Sequence, residues 1–100
     1  YFLFAYKVRV TNVGDTPAQL ISREWIITDS DANVERVEGP GVVGKQPLLR
    51  AGESFEYTSF CPLRTSFGSM QGSYTIKSES EETFQARIDP FTLAVPGVVN

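Results

Sequence analysis

A chain of 100 residues, 41% of them hydrophobic and 21% charged, has the size of one domain that can close a single core without staples. Nine scattered Lys and Arg against twelve Asp and Glu, net charge −3, argue against nucleic acid as a partner, because phosphate affinity needs clustered bases. Histidine is absent, which removes Ser-His-Asp and Cys-His nucleophile systems and His-ligated zinc.

The opening Tyr1-Phe2-Leu3-Phe4-Ala5-Tyr6 is too short and aromatic for a signal peptide, and no apolar run approaches the roughly 20 residues that span a bilayer. The chain starts without Met, so we expect a single domain over residues 1–100 cut from a longer protein. From Phe2 to Thr11 apolar residues fill the even positions, a strand with one buried face. Asn12-Val13-Gly14-Asp15-Thr16-Pro17 is turn chemistry. Ala18 to Thr28 follows, with Ile21, Trp25 and Ile27 on one face and Leu20 and Ile26 on the other, the pattern of a central strand or one covered on both sides. Asp29-Ser30-Asp31-Ala32-Asn33 starts like a calcium loop, but Val34 and Pro40 occupy the places that need Gly and Glu. We read it as a hairpin turn leading to a short strand, Val34 to Glu38.

Gly39-Pro40-Gly41-Val42-Val43-Gly44-Lys45 spells G-x-G-x-x-G, which cradles a pyrophosphate only when a helix opens at its third glycine. Pro47 lacks an N–H and pushes Gln46 toward extended backbone, so the stretch is expected to be a rigid loop between strands. After the turn Arg50-Ala51-Gly52-Glu53 a strand runs from Ser54 to Phe60 and ends at Cys61-Pro62-Leu63. Cys61, the one cysteine, makes no internal disulfide and reads as a small buried hydrophobe rather than a reactive thiol. Thr65-Ser66-Phe67-Gly68 forms a loop. Met70, Gly72, Tyr74 and Ile76 make the inner row of the next strand, with Gly72 leaving room for a neighbouring ring. Ser78 to Glu82 is a solvated acidic tip. Thr83 to Ile88 buries Phe84, Ala86 and Ile88, Asp89-Pro90 breaks the chain, and Phe91 to Val95 is a last strand.

About seven strands without any helical period predict an all-β domain, an immunoglobulin-like or fibronectin type III-like sandwich. Its expected core is Phe4, Tyr6, Val8, Trp25, Ile27, Phe55, Tyr57, Tyr74, Ile76, Phe84, Phe91 and Leu93.

Six short motifs, in this order, carry a family likeness: Phe4-Ala5-Tyr6, Ser22-Arg23-Glu24-Trp25, Gly39 to Pro47, Phe55-Glu56-Tyr57-Thr58-Ser59, Gly72-Ser73-Tyr74 and Pro90-Phe91-Thr92-Leu93. Together they resemble the ApaG domain family along nearly the whole chain. The resemblance implies a fibronectin-type sandwich without established enzymatic activity, linked in bacterial members to cobalt resistance and magnesium efflux and in eukaryotic ones to an inferred protein-binding role. It also implies a further strand before the equivalent of Tyr1, whose loss leaves an edge exposed, and a His where this chain has Glu24.

The expected function is therefore a non-enzymatic protein–protein interaction module without cofactor. Its candidate binding residues are Gly39, Gly41, Gly44 and Lys45 with Arg23 and Trp25 as anchors; the competing reading puts Trp25 in the core and makes Arg23 a structural charge. One alternative has the glycines form a phosphate or nucleotide nest with Lys45 as countercharge. Another has Asp29, Asp31 and Glu38 bind a divalent cation weakly. The expected partner is another protein, with a homodimer through an edge strand as an option, and neither nucleic acid nor membrane. The expected location is intracellular, in the cytoplasm or, behind a transit peptide, an organelle.

Overall fold

The computed structural model describes residues 1–95. They form seven strands: β1 (Phe2–Thr11), β2 (Ala18–Asp29), β3 (Val34–Pro40), β4 (Leu48–Leu49), β5 (Ser54–Leu63), β6 (Phe67–Ser78) and β7 (Thr83–Ala94). Among the described residues there is no helix long and apolar enough to cross a membrane. All pairings are antiparallel. Among the described residues one sheet consists of β1 and β5, and the other has the order β3-β2-β6-β7 with β4 attached to β2.

The sheets face each other across apolar rows dictated by the alternation of each strand. One cluster joins Phe4, Cys61 and Leu63 of the small sheet to Trp25, Met70 and Leu93 of the large one. The other joins Tyr57 to Leu20, Val42, Tyr74 and Ile76. Trp25 meets Tyr6, Tyr74 and Phe91 in edge-on geometry at centroid distances of 5.6, 6.3 and 5.9 Å, the arrangement that aromatic quadrupoles favour. The hydroxyls of Tyr57 and Tyr74 bond one another at 2.5 Å inside the core.

Two bulges explain where sequence patterning misleads. The register of β2 on β6 jumps between Leu20 and Ser22, so Ile21 is an extra residue and the strand changes phase there. Leu20 and Trp25 consequently both point inward, although strict alternation sets them on opposite faces; β2 is central, between β3 and β6, but its mixed pattern records a bulge. The second jump lies between Met70 and Gly72 opposite β7. It places Asp89 and Pro90 across from Gln71, and the bulge absorbs the proline without ending the strand. The predicted sixth and seventh strands are therefore one continuous β7, while Leu48–Leu49 adds a short strand beyond those the alternation predicts.

Two expectations, for Phe84 and Gly72, need correction, and Val42 joins the core from outside the expected set. Phe84 stays 53% exposed: it lies on the inner row of β7, but β1 and β5, the small sheet among the described residues, do not cover it. It lines an apolar hollow of about 390 Å³ with Val10, Leu20 and Ile76 at one end of the sandwich. Val42, a loop residue, is wholly buried. Gly72 makes room for backbone rather than a ring, since a Cβ there would sit 2.0 Å from the carbonyl oxygen of Glu24.

Candidate functional site

The glycine stretch is sealed from within. Gly39 and Pro40 belong to β3, opposite Arg23 and Ser22. The chain then turns over Val42 to Lys45, whose amides and carbonyls bond reciprocally at 2.8 and 2.9 Å. Val43 (φ 44°) and Gly44 (φ 79°) both occupy left-handed backbone, the conformation of a tight hairpin turn; for a β-branched residue such as Val43 this is strained. The amide of Gly41 donates to the Ile21 carbonyl, and the Gln46 side-chain amide donates to the same oxygen, so the bulge in β2 supplies the loop's anchor. Arg23 adds a clamp. Its Nη1 donates to the carbonyls of Pro40 (3.1 Å) and Gly41 (3.0 Å), and a Cβ on Gly39 would lie 2.9 Å from that nitrogen.

No helix follows Gly44; the Pro47 carbonyl instead accepts a hydrogen bond from the Leu20 amide. Among the described residues only the amides of Val43 and Gly44, of the five from Gly41 to Lys45, have no acceptor. Gly39, Gly41, Gly44 and Lys45 thus come together as one turn whose hydrogen bonding serves itself. Trp25 does not join their surface: it is 2% exposed and sits in the core.

The carboxylates suggested for a cation are dispersed. Asp29 accepts from the amides of Asp31 and Asn33 and from the Asn33 side chain, which closes its hairpin turn. Desolvation raises its pKa, but these hydrogen bonds outweigh it and hold the carboxyl below the ordinary value. Glu38 lies on the outer face of β3, where Arg36 reaches it at 3.6 Å and also pairs with Glu24. No group of three or more His, Cys, Asp and Glu gathers among the described residues.

The open part of the molecule is a flank that the sequence pattern did not mark. Among the described residues β5 pairs only with β1 and β3 only with β2, so one strand edge of each sheet is open on this flank. Between them run two adjoining hollows of about 630 and 240 Å³, which share Ile27, Glu35 and Pro62. The inner one is floored by Tyr6, Trp25 and Met70, walled by Val37 and by Ser59 to Pro62, and reaches Arg23. The outer one extends to Asp29, Val34 and Arg64, whose guanidinium lies over the Tyr1 ring at 5.3 Å.

The cleft holds several groups with unused bonding capacity. The indole N–H of Trp25 is buried and bonds to nothing among the described residues, an uncommon state for a core donor. Arg23 and Glu35 form no ion pair among the described residues. Phe60, on the cleft wall, is 61% exposed. Burial, assisted by the charge of Glu35, pushes the Cys61 thiol up, which keeps it protonated and a poor nucleophile.

Comparison with known proteins places this architecture. The family model for the ApaG domain matches residues 1–78. The chain belongs to the ApaG domain family. A Protein ApaG of Anaeromyxobacter dehalogenans is 56% identical to this ApaG-family chain over 99 residues, which is 99% of this chain and 79% of that one. Protein ApaG of Bordetella pertussis is 55% identical over 95 residues, 95% and 72% of the two chains. A crystal structure of an ApaA protein from Bordetella pertussis superposes with a TM-score of 0.92 at 54% identity, covering 96% of this chain and 78% of that one. The structural-genomics target SoR45 superposes at 0.95 with 44% identity, over 97% and 74%.

Proposed function

We propose that this ApaG domain is a non-catalytic docking module that takes an extended segment of another protein in the cleft between β3 and β5. The observation that carries the reading is the cleft itself, two unpaired strand edges with exposed Phe60 on the wall and an unpartnered Trp25 donor beneath. Sheet edges recruit extended chains because their backbone groups remain unpaired. The glycine turn stands at one end of this cleft and, through Arg23, sets its shape. Its role in the reading is to hold that end rigid.

A phosphate reading of the same turn has less support, since three of its five central amides already have acceptors. In the docking reading, a link to cobalt and magnesium handling runs through the partner, not through a cation held by this domain.

A photo-reactive amino acid placed at Phe60 tests the proposal against the same probe at Phe84, another exposed ring, at the far end of the sandwich. Crosslinking to a partner in a native lysate from Phe60 and not from Phe84 is expected. Equal yields, or yield only from a probe at Val43, would overturn it.

A further inference from the structure

The inner face of β3 is a row with charge at both ends. After the phase set by the outer Arg36 and Glu38, alternation puts Glu35, Val37 and Gly39 on the face toward the cleft, and Arg23 lays its guanidinium over Gly39. The cleft therefore presents an anion, an apolar side chain and a cation in succession, at strand positions i, i+2 and i+4. Four residues of strand make the separation about 13 Å. Neither charge has an ion-pair partner among the described residues. The other charged groups of the cleft are otherwise engaged: Asp29 closes its own turn, and Arg64 lies over Tyr1.

From this row we infer the chemistry of the segment that docks: a strand with a basic residue, an apolar residue and an acidic residue at alternate positions, spaced i, i+2 and i+4. The inference rests on the docking reading above. A strand laid along the free edge of β5 passes over β3 with alternate side chains toward it, because strand side chains repeat every second residue. Its basic group meets Glu35, its apolar group packs on Val37, and its carboxylate meets the Arg23 guanidinium, whose bonds to Pro40 and Gly41 use one nitrogen only. Like charges in either outer place would bring two cations or two anions together at the cleft wall, which electrostatic complementarity disfavours.

Short Thr-rich peptides carrying Lys-x-Val-x-Glu, in both directions, test this against Lys-x-Val-x-Lys and Glu-x-Val-x-Glu by fluorescence anisotropy at low salt. Two partly solvated ion pairs should favour one mixed-charge direction by about tenfold, and added salt should shrink the difference. Glu35→Lys alters an exposed, unpaired side chain, so the fold should hold. In that variant the preference should move to Glu-x-Val-x-Glu, a transfer that simple loss of structure does not produce. Peptides that crosslink through the Phe60 probe without any charge preference would overturn the charge assignment and leave docking intact. Failure of every peptide to bind, with no crosslink from Phe60 to any protein, would overturn both.

Discussion

The two ends of β3 handle unpaired backbone in opposite ways. At its C-terminal end the chain folds back over Val42, spends most of its amides on its own carbonyls, and is clamped by Arg23, Ile21 and Gln46. Along the rest of β3 an open edge faces the open edge of β5 over a cleft floored by Trp25 and Met70. The sequence motif that looks most like a ligand site is thus the better closed of the two, and the plain stretch from Val34 to Val37 borders the groups that still lack partners. A glycine pattern marks where backbone must come close; what comes close here is the same chain.

Substitutions at the closed end should hurt most. Gly41→Ala puts a Cβ 2.2 Å from the Lys45 carbonyl at φ +61° and should lower stability by about 2–4 kcal/mol in urea unfolding. Val42→Ala removes a fully buried side chain and should cost about 2 kcal/mol, whereas Val37→Ala on the half-open flank should cost under about 1 kcal/mol. Equal losses for the two valines would erase the contrast drawn here. Tyr74→Phe leaves the Tyr57 hydroxyl buried without its bond and should cost about 1–2 kcal/mol.

The same pair predicts an alkaline limit. Burial pushes both phenols above the ordinary value of 10.0, Tyr74 the further, so the folded state keeps protons that the unfolded chain releases. Their contribution is complete below about pH 10 and is lost as pH rises from there toward the folded values. Thermal unfolding followed from pH 8 to 11.5 should show stability falling above about 10, with a weaker fall in a Tyr57→Phe/Tyr74→Phe double variant. Val43→Gly should have the smallest effect and the opposite sign, a gain of up to about 1 kcal/mol from relieving left-handed backbone at a β-branched residue.

Most of the fold was legible because alternation is local. Phe2 to Thr11 and Ser54 to Phe60 show it plainly, and Pro47 correctly predicts that no helix opens after Gly44. The phase change at Ile21 was not legible, since a bulge and a two-faced strand produce the same mixture of residues. Val42 was missed because a loop residue between glycines carries no period. The cleft was missed for a different reason: it depends on how many strands each sheet receives, which is settled by pairing between distant segments. Arg23 was singled out from the sequence and does border the cleft, while Trp25 reaches it only as its buried floor.

In the docking proposal this molecule receives partners at the open flank and keeps its glycine turn to itself. Trp25 is the only tryptophan, so its indole N–H gives a single, unambiguous resonance beneath the cleft. Titrating the tightest peptide of the mixed-charge series into isotopically labelled domain should move that resonance and the amides from Ser59 to Leu63, leaving Val43 and Gly44 in place. Displaced Val43 and Gly44 amides with an unmoved indole would contradict it.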